Sequence, residues 1–467
     1  MANSFSCKIM SFVQRPYIPG ETIAAIATPP GEGGISIIRI AGQEALAVAA
    51  AVCSPRVLSY SSHTAHLAWV HDPAGRRLDE ALVIVMLNGK SYTGEDTVEL
   101  QCHGGMITSR KVLEACLAAG ARAAMPGEFT FKAFMNGRLD LAQAEAVQKL
   151  IGAKNEQAFL AAGKHLEGAL SKTIGEFQSE LIRLAAILEA WVDFPEEGIE
   201  FASEQEIVDQ LQVVCQQMQR LLDTFHEGKK IENGIALCIV GLPNAGKSSL
   251  MNALLDQERA IVTPIAGTTR DLLHEEMTIG GLHFKLTDTA GIRQTEEMVE
   301  QEGIRRSKAA VQTADLVLVV LDASQKLGTE EKELFSLLPS ERTIAVWNKI
   351  DLPHHSTCQT PFPFELRVSA KEKIGLDELK KSIAGLIWKQ GAPPREEVMI
   401  TTLRHKEALS LAITHLEAVI TGLCHSVSPE FLAADVRSAL EALGRVIGAN
   451  VTEDILSSIF SQFCIGK

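Results

Sequence analysis

Apolar residues follow two different periods in alternating blocks of this 467-residue chain. Between residue 21 and about residue 136, short β-rich runs alternate with turn signals: ETIAAIAT, PPGEGG, ISIIRIAG, and later HTAHLAWV, ALVIVML and DTVELQ. Helix-like stretches, QEALAVAAAV and SRKVLEACLAAG, fall between and after them, so the pattern predicts a compact α/β or α+β domain. From residue 138 the period lengthens. Leu166, Leu170, Ile174, Phe177, Leu181, Leu184, Leu188 and Trp191 recur every three or four positions, which predicts one long helix with a single apolar stripe. A second helix is predicted to carry Ile207, Leu211, Val214, Met218, Leu221 and Phe225. Both stripes read as helix-packing core.

Strand, loop and helix alternate again from Gly234 to about Trp388, where GAPPREE punctuates the chain. Helical spacing then returns at Leu409, Ile413, Leu416 and Ile420, at Val436, Leu440, Leu443 and Ile447, and at Ile455 and Ile459. Neither helical block has strands of its own, so the economical layout packs 138–230 against 395–467 and treats the middle segment as an insertion. The expected domains are thus 1–137, 138–230, 231–394 and 395–467, in a multidomain chain with an α/β (α+β) N-terminal domain, a discontinuous α-helical domain and an inserted α/β domain.

Length alone favours roughly two to four domains. A hydrophobic share of 46% with 22% charged residues is ordinary globular composition and excludes wholesale disorder. The formal charge of -14 argues against nucleic-acid binding through a general basic surface, so any RNA contact must be local or shared with a partner. Nine scattered cysteines, an odd number with no CxxC pair, suit a reducing cytoplasm and argue against a disulfide framework or a structural zinc site. No apolar run approaches the ~20 residues needed to cross a bilayer, so no membrane association is expected. The opening MANSFSCKIMSFVQRPYIPG is too short and interrupted for a secretory signal; an organellar leader and a frayed extension both fit it, and the latter is taken, with a cytoplasmic location.

The inserted segment carries the chemistry. GLPNAGKSSL (241–250) fits G-x-x-x-x-G-K-[ST] directly after the apolar run IALCIV and before the helix-like MNALLD. In that context Asn244, Ala245, Gly246, Lys247, Ser248 and Ser249 form a phosphate cradle: backbone N–H groups and the helix N-terminus meet phosphate, Lys247 reaches the β/γ oxygens and Ser248 binds Mg²⁺. FKLTDTAG ends a strand with Asp288, placed to hold the magnesium shell through water, followed by Thr289, Ala290 and Gly291, whose N–H can meet the γ-phosphate. Asn348, Lys349 and Asp351 of NKID follow the strand TIAVW. The Asp351 carboxylate can accept both N–H donors of a guanine edge, a pair that adenine lacks, so the nucleotide expected is GTP. Ser369, Ala370 and Lys371 fit the loop that closes over the base. Four motifs in this order predict a Ras-like P-loop G domain.

AGTTRD (266–271) supplies Gly267, Thr268 and Thr269 as a switch, with Thr269 able to sense Mg²⁺ and the γ-phosphate; Asp271 and Arg293 in the switch motifs are further candidates. Asn244 has two readings, a turn residue or a monovalent-cation ligand. In the second, K⁺ supplies positive charge as the transition state develops. One part is missing: the water-orienting glutamine that follows DTAG in Ras-type sites is Ile292 here.

ATPPGEGGISIIRIAG, VELQCHGG, PGEFTFKAFMNGRLDLAQAEAV, EAWVDFPEE, GLPNAGKSSLMNAL, AGTTRD, DTAGIR and the terminal CIGK together resemble the signature stretches of the MnmE (TrmE) tRNA modification GTPase family, within the TrmE-Era-EngA-like GTPases, over nearly the whole chain. The resemblance implies a homodimer with an N-terminal tetrahydrofolate-binding and dimerisation domain, and G domains that pair in the GTP state with K⁺ as stimulating ion. It implies K⁺ held by Asn244 and carbonyls of Thr263, Ile265 and Thr268, and a switch glutamate that takes over from the missing glutamine. Spacing carries that role onto Glu300, although EEMVEQE offers several solvated carboxylates.

It also implies that Arg39, Glu99, Arg138 and Lys467 bind the folate derivative, in 5-formyl or methylene form; a carboxylate suits the pterin donor edge, and cations suit the glutamyl tail. TFKAF departs from the more usual T-K-R-A-F of the family. CIGK fits a prenylation box poorly because of Gly466 and Lys467, and Cys464 reads as nucleophile, proton donor or structural thiol. The function implied is a K⁺-stimulated GTPase that acts with an FAD-dependent MnmG-like partner. The pair would add an aminomethyl or carboxymethylaminomethyl group to C5 of the wobble uridine of certain tRNAs. A ribosome-assembly or regulatory GTPase switch without base modification is the alternative.

Overall fold

The computed structural model describes residues 17–193, 203–256, 275–279, 281–288, 310–353, 359–387 and 398–467. They form two compact units. One comprises the described residues within Met1–Gln148, His165–Met218 and Glu407–Lys467; the other comprises those within Lys149–Lys164 and Gln219–Lys406.

The first unit is built on a six-stranded sheet of order β3-β4-β5-β2-β1-β6. Its strands are β1 (Ile23–Ile26), β2 (Ile35–Ala41), β3 (Thr64–His71), β4 (Arg77–Met86), β5 (Thr97–His103) and β6 (Arg122–Ala123), antiparallel except for the β1/β6 pair. Alternation decides the faces. Ile38, Ile40, Val83, Val85, Val98 and Leu100 point to one side and close a core with the helices Ala45–Val52 and Met106–Ala118. Arg39 and Glu99 face the other side and stand directly opposite each other in register.

The same unit holds the helix Ala169–Asp193, which buries Leu170, Ile174, Phe177, Leu181, Leu184 and Leu188 and packs along Pro429–Ile447. Pairing of a 138–230 helix with a 395–467 helix is thus seen, but the stripe predicted as one helix is broken. Leu166 ends the preceding helix, and Gly168 takes φ +86° between the two. Phe225 likewise opens a helix of its own, Phe225–Asn233, instead of extending Glu204–Asp223. In the last helix, Glu453–Phe460, Phe460 is buried and Ile459 packs against its cluster, whereas Ile455 is 37% exposed, so only part of the predicted stripe meets the core. Leu403–Cys424 is long and apolar enough to cross a membrane by length and composition, and 44% of its apolar window is buried. His415 and Glu417 break it into shorter runs, which is why a search for unbroken apolar stretches passes over it.

The second unit contains a sheet of order β12-β11-β10-β7-β9-β8: β7 (Ile235–Val240), β8 (Glu275–Ile279), β9 (Leu282–Asp288), β10 (Leu316–Asp322), β11 (Thr343–Asn348) and β12 (Phe364–Arg367). All pairs are parallel except β8/β9 at the edge. IALCIV and LVLVVL are apolar without alternation because both faces are covered. Leu250, Leu254, Leu379 and Ile383 pack on one face, and Val311, Phe335 and Leu338 on the other. Adjacent parallel strands bring the loops after β7, β10, β11 and β12 to the same end of the sheet, where open α/β sheets bind ligands.

Candidate nucleotide and C-terminal sites

Glycine is forced at two points of the loop after β7. Gly241 has φ +151°, and a Cβ there would lie 2.4 Å from the Val320 carbonyl; Gly246 has φ +92°, and its Cβ would lie 2.3 Å from Asn348 Nδ2. Any side chain at either position would drive the loop off its neighbours. Asn244 adopts φ +64°, a left-handed conformation that asparagine tolerates better than most residues, and its side chain is exposed. Lys247 Nζ donates to the carbonyls of Gly241 and Leu242, both at 2.9 Å, which brings the ammonium back over the start of the loop. Ser248 and Ser249 lie in the first turn of the helix Lys247–Asp256, and both are exposed. This loop has the backbone that phosphate cradling requires.

Asn348, 2% exposed, joins three of the sequence motifs. Its Nδ2 donates to the Ala245 carbonyl at 3.1 Å, and its Oδ1 accepts the Ala370 N–H at 3.0 Å. Ser369, fully buried, donates its hydroxyl to Asp351 Oδ1 at 2.6 Å. That bond, helped by Lys371 and Lys349, holds the exposed Asp351 carboxyl below the usual carboxylate range, so an ionised acceptor stands ready for a pair of N–H donors. Lys371 is itself exposed and lies 3.5 Å from Glu372. The backbone of Asp288 closes β9 opposite Ile239. Thr263, Ile265, Gly267, Thr268, Thr269, Asp271, Thr289, Ala290, Gly291, Arg293 and Glu300 lie outside the described residues.

A second constellation forms in the other unit, on the sheet face away from the helical core. Arg39 Nε pairs with Glu99 Oε1 at 2.9 Å, with both side chains mostly buried, and the guanidinium lies 5.7 Å from the Phe129 ring centre and 5.9 Å from that of Tyr92. Arg39 Nη1 also donates to the Gly466 carbonyl at 3.4 Å, so the chain terminus is part of the site. Phe129 N–H donates to the Lys467 carbonyl at 3.2 Å and Gly127 N–H to that of Cys464 at 3.4 Å. Gly466, at φ +97°, could carry no side chain: a Cβ would meet the Ile26 carbonyl at 2.4 Å. Burial and the nearby Arg39 charge push the Lys467 ammonium below the usual lysine range, against the opposing pull of Glu99 and Cys464. A carboxylate, two cations and two aromatic rings suit a planar heterocycle that carries both N–H donors and an anionic tail.

Arg39, Glu99 and Lys467 are therefore brought together, with the exposed Cys464 beside them. Arg138 packs against the loop of Gly94, with its Cγ 3.1 Å from the Cβ position of that glycine. The departure at TFKAF has a structural counterpart. Lys132 is 1% exposed, pairs with Glu95 at 2.6 Å and donates to the Glu21 carbonyl at 2.8 Å, so this position is a buried anchor under the sheet. Tyr92 and Phe129 carried no sequence signal as site residues. Asp322, which pairs with Lys349 at 2.7 Å, did carry one: Asp-x-Ser at the end of an apolar strand is an Asx-turn pattern.

Comparison with known proteins gives the family. A family model for the MnmE helical domain matches residues 141–464, and one for the GTP-binding protein TrmE N-terminus matches residues 22–138. The tRNA modification GTPase MnmE of Protochlamydia amoebophila (strain UWE25) is 58% identical over 459 residues, covering 98% of this chain and 100% of that protein. The protein of the same name from Heliobacterium modesticaldum (strain ATCC 51547 / Ice1) is 44% identical over 465 residues, 96% and 100% of the two chains. That of Chlamydia trachomatis serovar D (strain ATCC VR-885 / DSM 19411 / UW-3/Cx) is 42% identical over 450 residues, 96% and 99%. A multidomain α/β chain that matches such relatives end to end belongs to the MnmE family of tRNA modification GTPases.

Proposed function

We propose that this tRNA modification GTPase is stimulated by K⁺ and works with an FAD-dependent MnmG-like partner. Together they add an aminomethyl or carboxymethylaminomethyl group to C5 of the wobble uridine of certain tRNAs. The observation that carries the reading is the double hydrogen bond of Asn348, which ties the phosphate loop to the loop of Ala370 around the Asp351 carboxylate. That arrangement supports a pocket for a guanine nucleotide. Ser248 and Thr269 would hold Mg²⁺; Asn244 with the carbonyls of Thr263, Ile265 and Thr268 would hold K⁺. Glu300 orients the attacking water in place of the absent glutamine, and the remaining switch residues, Gly267, Thr289, Ala290 and Gly291 among them, line the γ-phosphate. GTP hydrolysis drives a conformational change and makes no bond to the tRNA.

The Arg39–Glu99 pair, Lys467 and the rings of Tyr92 and Phe129 support a tetrahydrofolate derivative in the N-terminal unit. When bound, it supplies the one-carbon unit. Glu99 orients the heterocycle by accepting from its N–H edge, Arg39 fixes Glu99, and Lys467 neutralises a carboxylate of the tail. Arg138 lines the rim. Homodimerisation through this unit is supported by the exposed Ile35, Leu67, Trp69 and Leu82, which share one face of the sheet with Arg39. The acidic charge of -14 supports a division of labour in which the partner carries much of the tRNA contact, in the cytoplasm.

Mass spectrometry of tRNA nucleosides from cells lacking this protein, with and without a plasmid copy, tests the reading. Loss and rescue of a C5-aminomethyl uridine family is the expected outcome. An unchanged nucleoside profile would overturn it and favour a ribosome-assembly or regulatory switch.

A further inference from the structure

The charged end of Lys349 is held from outside the nucleotide motifs. Its Nζ pairs with Asp322 Oδ2 at 2.7 Å; Asp322 is the last residue of β10 and stands opposite Asn348 in register. The carboxylate is fixed in turn, because Asp322 Oδ1 accepts the Ser324 N–H at 2.9 Å and the Ser324 hydroxyl at 2.6 Å. The strand ends are tied as well: Ala323 N–H donates to the Asn348 carbonyl at 2.8 Å. Burial pushes the Asp322 carboxyl up, but the bonds from Lys349 and Ser324 outweigh it and leave the group below the usual carboxylate range, so the carboxylate is ionised at neutral pH.

Lys349 itself has φ +67°, a left-handed conformation that a long side chain keeps only when its surroundings hold it. Its stem runs beside the phosphate loop, with Cε 3.9 Å from the Cβ position of Gly246. The side chain remains 31% exposed, whereas Asp322 is 12% exposed. An aliphatic stem that is anchored at its charged tip and open along one side is a wall for a flat ligand.

We propose that Asp322 is a positioning residue for guanine-nucleotide recognition: it pins the Lys349 ammonium so that the stem of Lys349 stands against the face of the base whose N–H edge Asp351 accepts. Asp322 touches neither the base nor the phosphates. It acts by removing rotamer freedom that a four-carbon side chain would otherwise lose on each binding event. The inference rests on the guanine reading of the pocket.

Release of a fluorescent GDP analogue from the full-length protein, followed by stopped flow in a double-mutant cycle, tests it. Asp322→Asn should speed release about tenfold, the scale of one charge-assisted hydrogen bond. In a Lys349→Met background, which keeps a stem and removes the charge, the same substitution should add nothing. Equal effects in both backgrounds, or none in the wild-type background, would overturn the role given to Asp322. If Asp322→Asn does not fold, Ser324→Ala loosens the same carboxylate and carries the test, with about twofold faster release expected only where Lys349 is present. Failure of the unmodified protein to bind the GDP analogue at all would instead sink the guanine reading itself.

Discussion

Asn348 offers the sharpest test of how the nucleotide site is held together, because its two hydrogen bonds can be separated by substitution. Asn348→Ala removes the donor to the Ala245 carbonyl and the acceptor for the Ala370 N–H, and both of those residues are buried, at 4% and 6% exposure. Two buried backbone groups left without partners cost about 1–2 kcal/mol each, so the phosphate loop and the Ala370 loop should be released at a cost of about 2–4 kcal/mol. If that cost falls on the bound state, GDP affinity drops by about 30- to 700-fold at 1.4 kcal/mol per decade.

Asn348→Asp is nearly isosteric and keeps an acceptor for Ala370. It sets an oxygen against the Ala245 carbonyl, at the present 3.1 Å spacing, where a donor stood. Hydrogen exchange read by mass spectrometry on a peptide containing Ala370 distinguishes the two variants. The Ala370 amide should lose protection in Asn348→Ala and largely keep it in Asn348→Asp, whereas nucleotide affinity should fall in both. Equal deprotection by both variants, or none by the alanine, would refute the account of Asn348 as a two-sided staple.

Other perturbations read other parts of the molecule. Glu300→Ala should bind GTP yet lose most turnover, and unchanged single-turnover hydrolysis would remove Glu300 from the mechanism. Arg39→Met should abolish binding of 5-formyltetrahydrofolate in a calorimetric titration while Arg39→Lys restores part of it; an unaltered Kd in the methionine variant would remove the Arg39–Glu99 pair from that site. Gly466→Ala, which forces a Cβ to 2.4 Å from the Ile26 carbonyl at φ +97°, should detach the terminus and raise hydrogen exchange around Phe129, and unchanged exchange there would count against a docked terminus. The Asp322 carboxyl titrates in the folded chain below its ordinary value of 3.8, so its stabilising effect is complete above that value and is lost as pH falls through the lower one. The cost of Asp322→Asn in urea unfolding should therefore be equal at about pH 5 and about pH 8 and shrink below about pH 3; a cost that grows in acid would contradict the ion pair.

Both sheets were legible in the pattern of apolar residues, for different reasons. In the N-terminal unit, alternation in ISIIRIAG and DTVELQ reports one covered face, and parity alone assigns Arg39 and Glu99 to the other. In the second unit the runs IALCIV and LVLVVL are apolar throughout because both faces are packed. Helix boundaries were less readable. A three- and four-residue period passes through Leu166 and Leu170 whether or not Gly168 turns the chain between them, because periodicity records which side is buried and says little about where a helix stops.

The sites divide along the same line. Motif spacing singles out Lys247, Asn348 and Asp351 as candidates because each sits in or beside a short loop at the end of an apolar strand. The groups that set those residues in place come from elsewhere in the chain. Asp322 reaches Lys349 from a neighbouring strand, the Ala370 N–H reaches Asn348 from a loop 22 residues further on, and Gly466 reaches Arg39 across 427 residues. No local window contains both partners of such a contact. What a sequence hides in a site of this kind is therefore the support of the reactive residues more than the residues themselves, and substitutions at the supports, Asp322 first among them, are where structure adds most to the motif.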